Sequence, residues 1–216
     1  MGIKERKERD RKLRQKQIIE AAVIQITKNG FKKTTMDEIA EQAELSKGTL
    51  YLYFKNKATL YQGIRKEALQ QIHQKFQAIF QQDLKGNQLI RLMNNEFIDF
   101  VNEKTVYTHS LSLDYSEDED GSNKLRNECK QLEKEVLMII TRSLQIGIQD
   151  KSISTSVQPK VLAIQIGLMM SGLIHFYISE AGNTISEILK QNNINIKYLM
   201  QQFMDIYLNQ IDMETN

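Results

Sequence analysis

Lys47, Gly48, Thr49, Tyr51 and Tyr53 lie between residues 47 and 53, and together they have the chemistry of a surface that reads a nucleic acid. Threonine and tyrosine hydroxyls both donate and accept hydrogen bonds, their carbon frames can cover a thymine methyl, and lysine donates to guanine O6 and N7 or to phosphate. Glycine at 48 removes a side chain where a backbone must come close. Catalysis finds no comparable set. The sequence has no glycine-rich phosphate loop, no Gly-x-Ser-x-Gly elbow, no His-Glu-x-x-His pair and no Cys-x-x-Cys. His73, His109 and His175 fall on different predicted helices, and Cys129, between Glu128 and Lys130, reads as an inert thiol. No enzymatic activity, cofactor or metal site is expected. The acidic stretch 114 to 121 fails as a calcium loop: with Gly121 at its sixth position, the twelfth is Asn127 where a bidentate glutamate is needed.

The elements that position the first set follow from spacing. Ile18, Ile19, Ala22, Val23 and Ile26 recur at three and four residues, the mark of one buried helical face, and Asn29-Gly30 supplies a C-terminal cap. Thr35-Met36-Asp37-Glu38 matches a capping box, so a second helix starts at Met36, with Ile39, Ala40 and Ala43 inward. Ser46 can cap a third short helix, Lys47 to about Phe54, in which Leu50 and Phe54 face inward and the reading set is left outward or flanking. Two short helices joined by a three- or four-residue turn after a longer helix form a helix-turn-helix, whose second member enters the major groove. Residues 4 to 16, a run of charge, read as a solvated tail or a frayed first turn, with phosphate or minor-groove contact as the other reading.

Composition agrees with an all-helical chain. Its 216 residues include one proline and ten glycines, too few turn-formers for a barrel or sandwich of many short strands. The net charge of +2 conceals an asymmetry: residues 1 to 66 carry sixteen basic and eight acidic side chains, and the remainder thirteen and nineteen. A head of +8 on a body of −6 points to a polyanion at the front. One cysteine excludes an intrachain disulfide and fits a reducing cytoplasm, and no secretory signal is visible.

The stretch TTMDEIAEQAELSKGTLYLYFKNKATLYQGI, residues 34 to 64, resembles the TetR family of transcriptional regulators. The likeness rests on a joint pattern: the threonine cap, Ile39-Ala40 and Ala43, Ser46 through Tyr51, Tyr53-Phe54, then Lys57 and Leu60 opening a long fourth helix. It covers about residues 12 to 66 closely and the remainder only in helix layout. The resemblance implies a DNA-binding domain over 1–56 and a helical effector-binding and dimerisation domain over 57–216. It puts Lys47, Gly48, Thr49 and Tyr51 at bases or adjacent backbone, and Tyr53, Lys57, Thr34 and Thr35 at phosphates. It further implies a small-molecule effector in a cavity of the body, for which the candidate walls are Met93, Phe97, Phe100, Tyr107, His109, Met138, Met169, Met170, His175 and Phe176.

Downstream, apolar spacing predicts helices over about 57–82, 87–103, 105–114, 123–150 and 195–211. Residues 161 to 179 carry no charge and are long enough to span a bilayer. Gln165, Ser171 and His175 within the stretch argue instead for a buried helix, with Pro159 at its start. Its small residues Gly167, Ser171 and Gly172 allow another helix to approach closely. The TetR resemblance implies a homodimer joined by a four-helix bundle of the last two long helices of each chain, in which these small residues with Phe203 and Tyr207 of the last helix are the expected seam; spacing alone shows only buried faces. The expectation is thus a cytoplasmic, ligand-responsive repressor bound as a dimer to a pseudo-palindromic operator. The competing reading is a helical-bundle carrier or enzyme without specific DNA binding.

Overall fold

The computed structural model describes residues 2–112, 122–178 and 184–211, and these contain ten helices and no strand. Two compact units are present: residues 1–67 with 115–129, and residues 68–114 with 130–216. The sequence-based boundary at residue 56 therefore differs from the division found. The first turns of the fourth helix bury Leu60, Tyr61 and Ile64 and belong to the head.

In the first unit, α1 (Ile3–Asn29) buries Ile18, Ile19, Ala22 and Ile26 and ends at Gly30, whose φ of 76° suits a residue without Cβ and whose amide reaches the Ile26 carbonyl at 2.8 Å. The charged run expected as a tail is helical from Ile3. Lysine, arginine, glutamate and glutamine are strong helix formers, nothing in the run breaks a helix, and the packed half of α1 supplies the nucleus for extension. The short helices α2 (Met36–Gln42) and α3 (Lys47–Tyr53) follow, and α4 (Lys57–Phe80) starts in this unit. Cys129 is buried with its thiol 3.9 Å from the Gln62 carbonyl, and Lys66 pairs with Glu128 at 2.7 Å, so α4 meets the start of α7 (Ser122–Gln149).

The second unit holds the rest of α4 and α7 with α5 (Gly86–Glu103), α6 (Thr105–Ser112), α8 (Pro159–Ile178), α9 (Thr184–Gln191) and α10 (Ile196–Ile211). Its core gathers Ile98, Val101, Leu144, Ile153, Ala163 and Met200. The start of α5 crosses α7 at backbone contact: a Cβ on Gly86 would fall 2.1 Å from the Gly147 nitrogen. There Asp150 accepts the Gly86 amide at 2.8 Å and the Ser152 hydroxyl accepts the Asn87 amide at 3.1 Å, satisfying donors that a helix start leaves open.

The chargeless helix α8 differs from its sequence reading. Leu162, Ala163, Ile166, Met170 and Ile174 are buried, but Val161, Ile164 and Leu168 form a second apolar row that is exposed, Leu168 by 70%. No helix among the described residues is long and apolar enough to cross a membrane. The acidic stretch 114 to 121 lies outside the described residues, and these contain no cluster of metal-ligating side chains.

Candidate nucleic-acid interface

The local sequence fixes the two short helices through their caps. Thr35 Oγ1 accepts the Glu38 amide at 3.2 Å, and the Glu38 carboxylate accepts the Thr35 amide at 2.7 Å and its hydroxyl at 2.9 Å. The Thr35 amide, then its hydroxyl, hold the Glu38 carboxyl below its ordinary pKa. Between the helices the chain turns through Glu44, with φ of 55°, as the Glu44 amide bonds Glu41 and the Leu45 amide bonds Ala40. That pair of bonds is a Schellman turn, with a glutamate at the left-handed position glycine usually fills. Ser46 Oγ then accepts the Thr49 amide at 3.1 Å and starts α3.

Leu50 and Phe54 fill the head's core, so the opposite arc of α3 is available. Gly48, Tyr51 and Leu52 lie on it, all exposed, Lys47 is exposed in the first turn, and Thr49 and Tyr53 are half-buried. Thr49 Oγ1 is 2.8 Å from Ser46 Oγ, so its hydroxyl is already engaged. Lys47 pairs with Asp37 at 2.5 Å, both side chains more than half exposed, an ion pair weak enough to open for a base or phosphate.

Leu52 is the residue that the sequence reading missed. It is 80% exposed, against 45% for Tyr51. A large apolar side chain held out in water on this arc has a thymine methyl as a natural partner. Its spacing of four from Gly48, away from the inward Leu50 and Phe54, was the available signal.

The residues expected at phosphates divide. Thr35 is exposed at the start of α2. Thr34 departs from expectation: it is 1% exposed, and its hydroxyl donates to the Gly30 and Gln25 carbonyls at 2.9 and 3.2 Å, closing the α1–α2 connection. Lys57 donates to the Lys32 carbonyl at 3.2 Å with its ammonium 4.4 Å from the Phe31 ring centroid, and Phe31 in turn packs on Tyr61. Burial pushes the Lys57 pKa down, with the Glu38 charge opposing. The ammonium is thereby held at a fixed place beside the start of α2.

In the second unit the expected effector walls also divide. Met93, Phe100, Tyr107 and Met170 are buried, and Phe97 and Met169 are half-buried against the core. Met138 and His175 are exposed, His109 is half-buried, and the Phe176 side chain lies outside the described residues. On α8 the expected seam residues Gly167, Ser171 and Gly172 are exposed, and a Cβ on either glycine would meet nothing within 4 Å. Phe203 and Tyr207 of α10 are half-buried and stacked at 5.7 Å, with the Tyr207 hydroxyl donating to Gln165 at 2.7 Å.

Residues 18–64 match the family model for bacterial regulatory proteins of the tetR family. Over 142 residues the chain is 29% identical to the uncharacterized HTH-type transcriptional regulator YhgD of Bacillus subtilis (strain 168), spanning 65% of this chain and 72% of that one. Over 138 residues it is also 29% identical to the fatty acid metabolism regulator protein of the same organism, spanning 63% and 69%. Its fold is similar to the crystal structure of the transcriptional regulator FadR from Bacillus subtilis in complex with stearoyl-CoA, with a TM-score of 0.63 at 22% identity over 90% of this chain and 98% of that one.

Proposed function

This chain belongs to the TetR family and is a DNA-binding transcriptional regulator, and from that premise we propose how it works. It acts as a homodimeric repressor that sets two copies of α3 in successive major grooves of a pseudo-palindromic operator, about 34 to 36 Å apart. The observation that carries this reading is the exposed arc of α3, where Tyr51 and Leu52 stand in water on a helix whose other face is locked in the core.

The homodimer reading is supported by the apolar row of α8 beside Gly167, Ser171 and Gly172, together with exposed Tyr198 and Ile206 on α10. Such a row is what a partner helix would cover. Light scattering at micromolar concentration should give twice the 25.1 kDa chain mass, and a strictly monomeric mass would remove the dimer.

The likeness to a regulator of fatty acid metabolism and to one solved with stearoyl-CoA supports a long-chain acyl-CoA as the effector class. The backbone passes from the first unit to the second within α4, so a ligand that displaces this helix acts on the head along hydrogen-bonded chain. Such a ligand releases the operator only if it binds the released state better than the bound one. Stearoyl-CoA titrated into the protein–operator complex should free the DNA, while coenzyme A alone should not; equal retention with both would refute this effector class.

A further inference from the structure

Most of the head's positive charge is not on its helix-turn-helix. Residues 1–66 carry a net +8, of which residues 1–17, with eight basic and three acidic side chains, supply +5. This excess lies on formed helix, since α1 starts at Ile3 while its first buried residue is Ile18. About 22 Å of charged helix therefore runs beyond the part that packs.

Half of the basic residues on that extension fall in one row. Lys4, Lys7, Arg11 and Arg14 recur at three, four and three residues and so share one face, a row without a carboxylate. Of the three acids on the extension, Glu5 accepts the Gly2 amide at 2.9 Å, Asp10 lies 4.0 Å from Arg9, and Glu8 borders the row, four residues from Lys4 and three from Arg11, leaving the row a net excess of positive charge. Four residues past Arg14, in line with the row, comes Ile18, fully buried. The row thus continues the buried face of α1 and lies on the side where the rest of the head packs. It spans about 15 Å, the axial length of four to five phosphates along one DNA strand.

We propose that this row is a second DNA-binding element, which holds the phosphate backbone beside the base pairs facing Tyr51 and Leu52. The proposal rests on the reading of the head as DNA-binding. An anionic membrane is the poorer partner, because a helix lying in a bilayer surface needs an apolar face. The extension's large apolar residues are Ile3 and Leu13, ten apart and about 80° off one another, with charge on either side. The row adds affinity and salt dependence without sequence preference, since phosphate contacts hold a protein on the duplex and carry no base information.

The test uses the full chain and fluorescence anisotropy on a duplex selected from a random pool and on a scrambled duplex, across a salt series. A row variant (Lys4→Gln, Lys7→Gln, Arg11→Gln, Arg14→Gln) keeps helix propensity, which circular dichroism verifies, and is compared with a control set on other faces (Arg6→Gln, Arg9→Gln, Lys12→Gln, Lys16→Gln). The row variant should weaken both duplexes alike and shallow the salt slope by about 3.6 per protomer, from roughly 0.9 for each of four phosphate contacts, while the control set changes it by less than one. Equal slopes for row variant and parent, with Tyr51→Ala still reducing preference for the selected duplex, would overturn the second element and leave the head's role standing. Equal losses in both glutamine sets would also overturn it, reducing the effect to net charge. If the parent shows no preference between duplexes, the reading of the head itself fails. Binding to phosphatidylglycerol vesicles that the row variant loses, with DNA affinity unchanged, would assign the row to lipid instead.

Discussion

Phe54 closes α3 against Gly63 of α4 so tightly that a Cβ added to Gly63 would lie 2.6 Å from the Phe54 ring. Phe54 is 2% exposed, and Ile19 of α1 is the next neighbour of that position, so a methyl group has nowhere to go. The end of α3 is thus set by the absence of a side chain on α4. Gly63→Ala should destabilise the head by about 1 to 3 kcal/mol through overpacking, although alanine is the better helix former. It should also weaken operator binding by displacing α3. Thermal melting and anisotropy on the selected duplex check both, and Phe54→Leu in the same chain should restore part of each loss.

Base readers and phosphate holders should separate in their response to sequence. Tyr51→Ala and Leu52→Ala should each cost about 1 to 3 kcal/mol on the selected duplex and little on a scrambled one. Lys57→Ala should weaken both duplexes alike and shallow the salt slope by about one. Because Lys57 also covers Phe31 and bonds Lys32, its variant should melt lower, whereas Leu52→Ala, exposed on all sides, should not.

Glu44 occupies a left-handed backbone position that glycine adopts without steric cost. Glu44→Gly should stabilise the head by about 1 kcal/mol, the usual penalty of a side chain in that region. A lower midpoint in urea than the parent would show that the glutamate has a compensating contact.

Acid should destabilise both units. Glu38 is held below its ordinary pKa by the Thr35 amide and hydroxyl. For Asp150, burial works against the charge, but hydrogen bonds from Ser152 and Gly86 overcome it. A carboxyl whose folded pKa is depressed contributes stability that is full above its unfolded value and fades as pH falls through the folded one. Unfolding free energy should therefore be flat near neutrality and fall below the ordinary values of 4.5 for Glu38 and 3.8 for Asp150. Denaturant titrations at successive pH values check this. Glu38→Gln and Asp150→Asn should each flatten the acid limb, and a limb equally steep in both variants would assign it to other groups.

The parts legible in the sequence were those whose chemistry is local. The Thr35–Glu38 box, the Gly30 terminus and the Ser46 cap each act within a few residues, and all three are found. What stayed hidden depends on partners distant in the chain. Thr34 reads as an exposed hydroxyl beside Thr35, but Gln25 and Gly30 take it inward. Nothing local to Leu52 shows how far it stands in water, because its 80% exposure depends on what packs around α3. Gly86 meets Gly147 across sixty-one residues, a close approach no local pattern announces. The short helix α9 was missed altogether. Residues 4 to 16 misled in the other direction, since charge without apolar period looks unstructured although each residue type favours helix.

The central claim is that two copies of α3 read a two-fold symmetric operator, and selection of bound sequences from a random duplex pool tests it most directly. The expected result is an enriched pseudo-palindrome whose half-sites are centred about 10 base pairs, or one helical turn, apart. Enrichment should weaken when the selection is repeated with Tyr51→Ala. A pool that emerges without any common sequence, or with a single half-site lacking two-fold symmetry, would contradict the account.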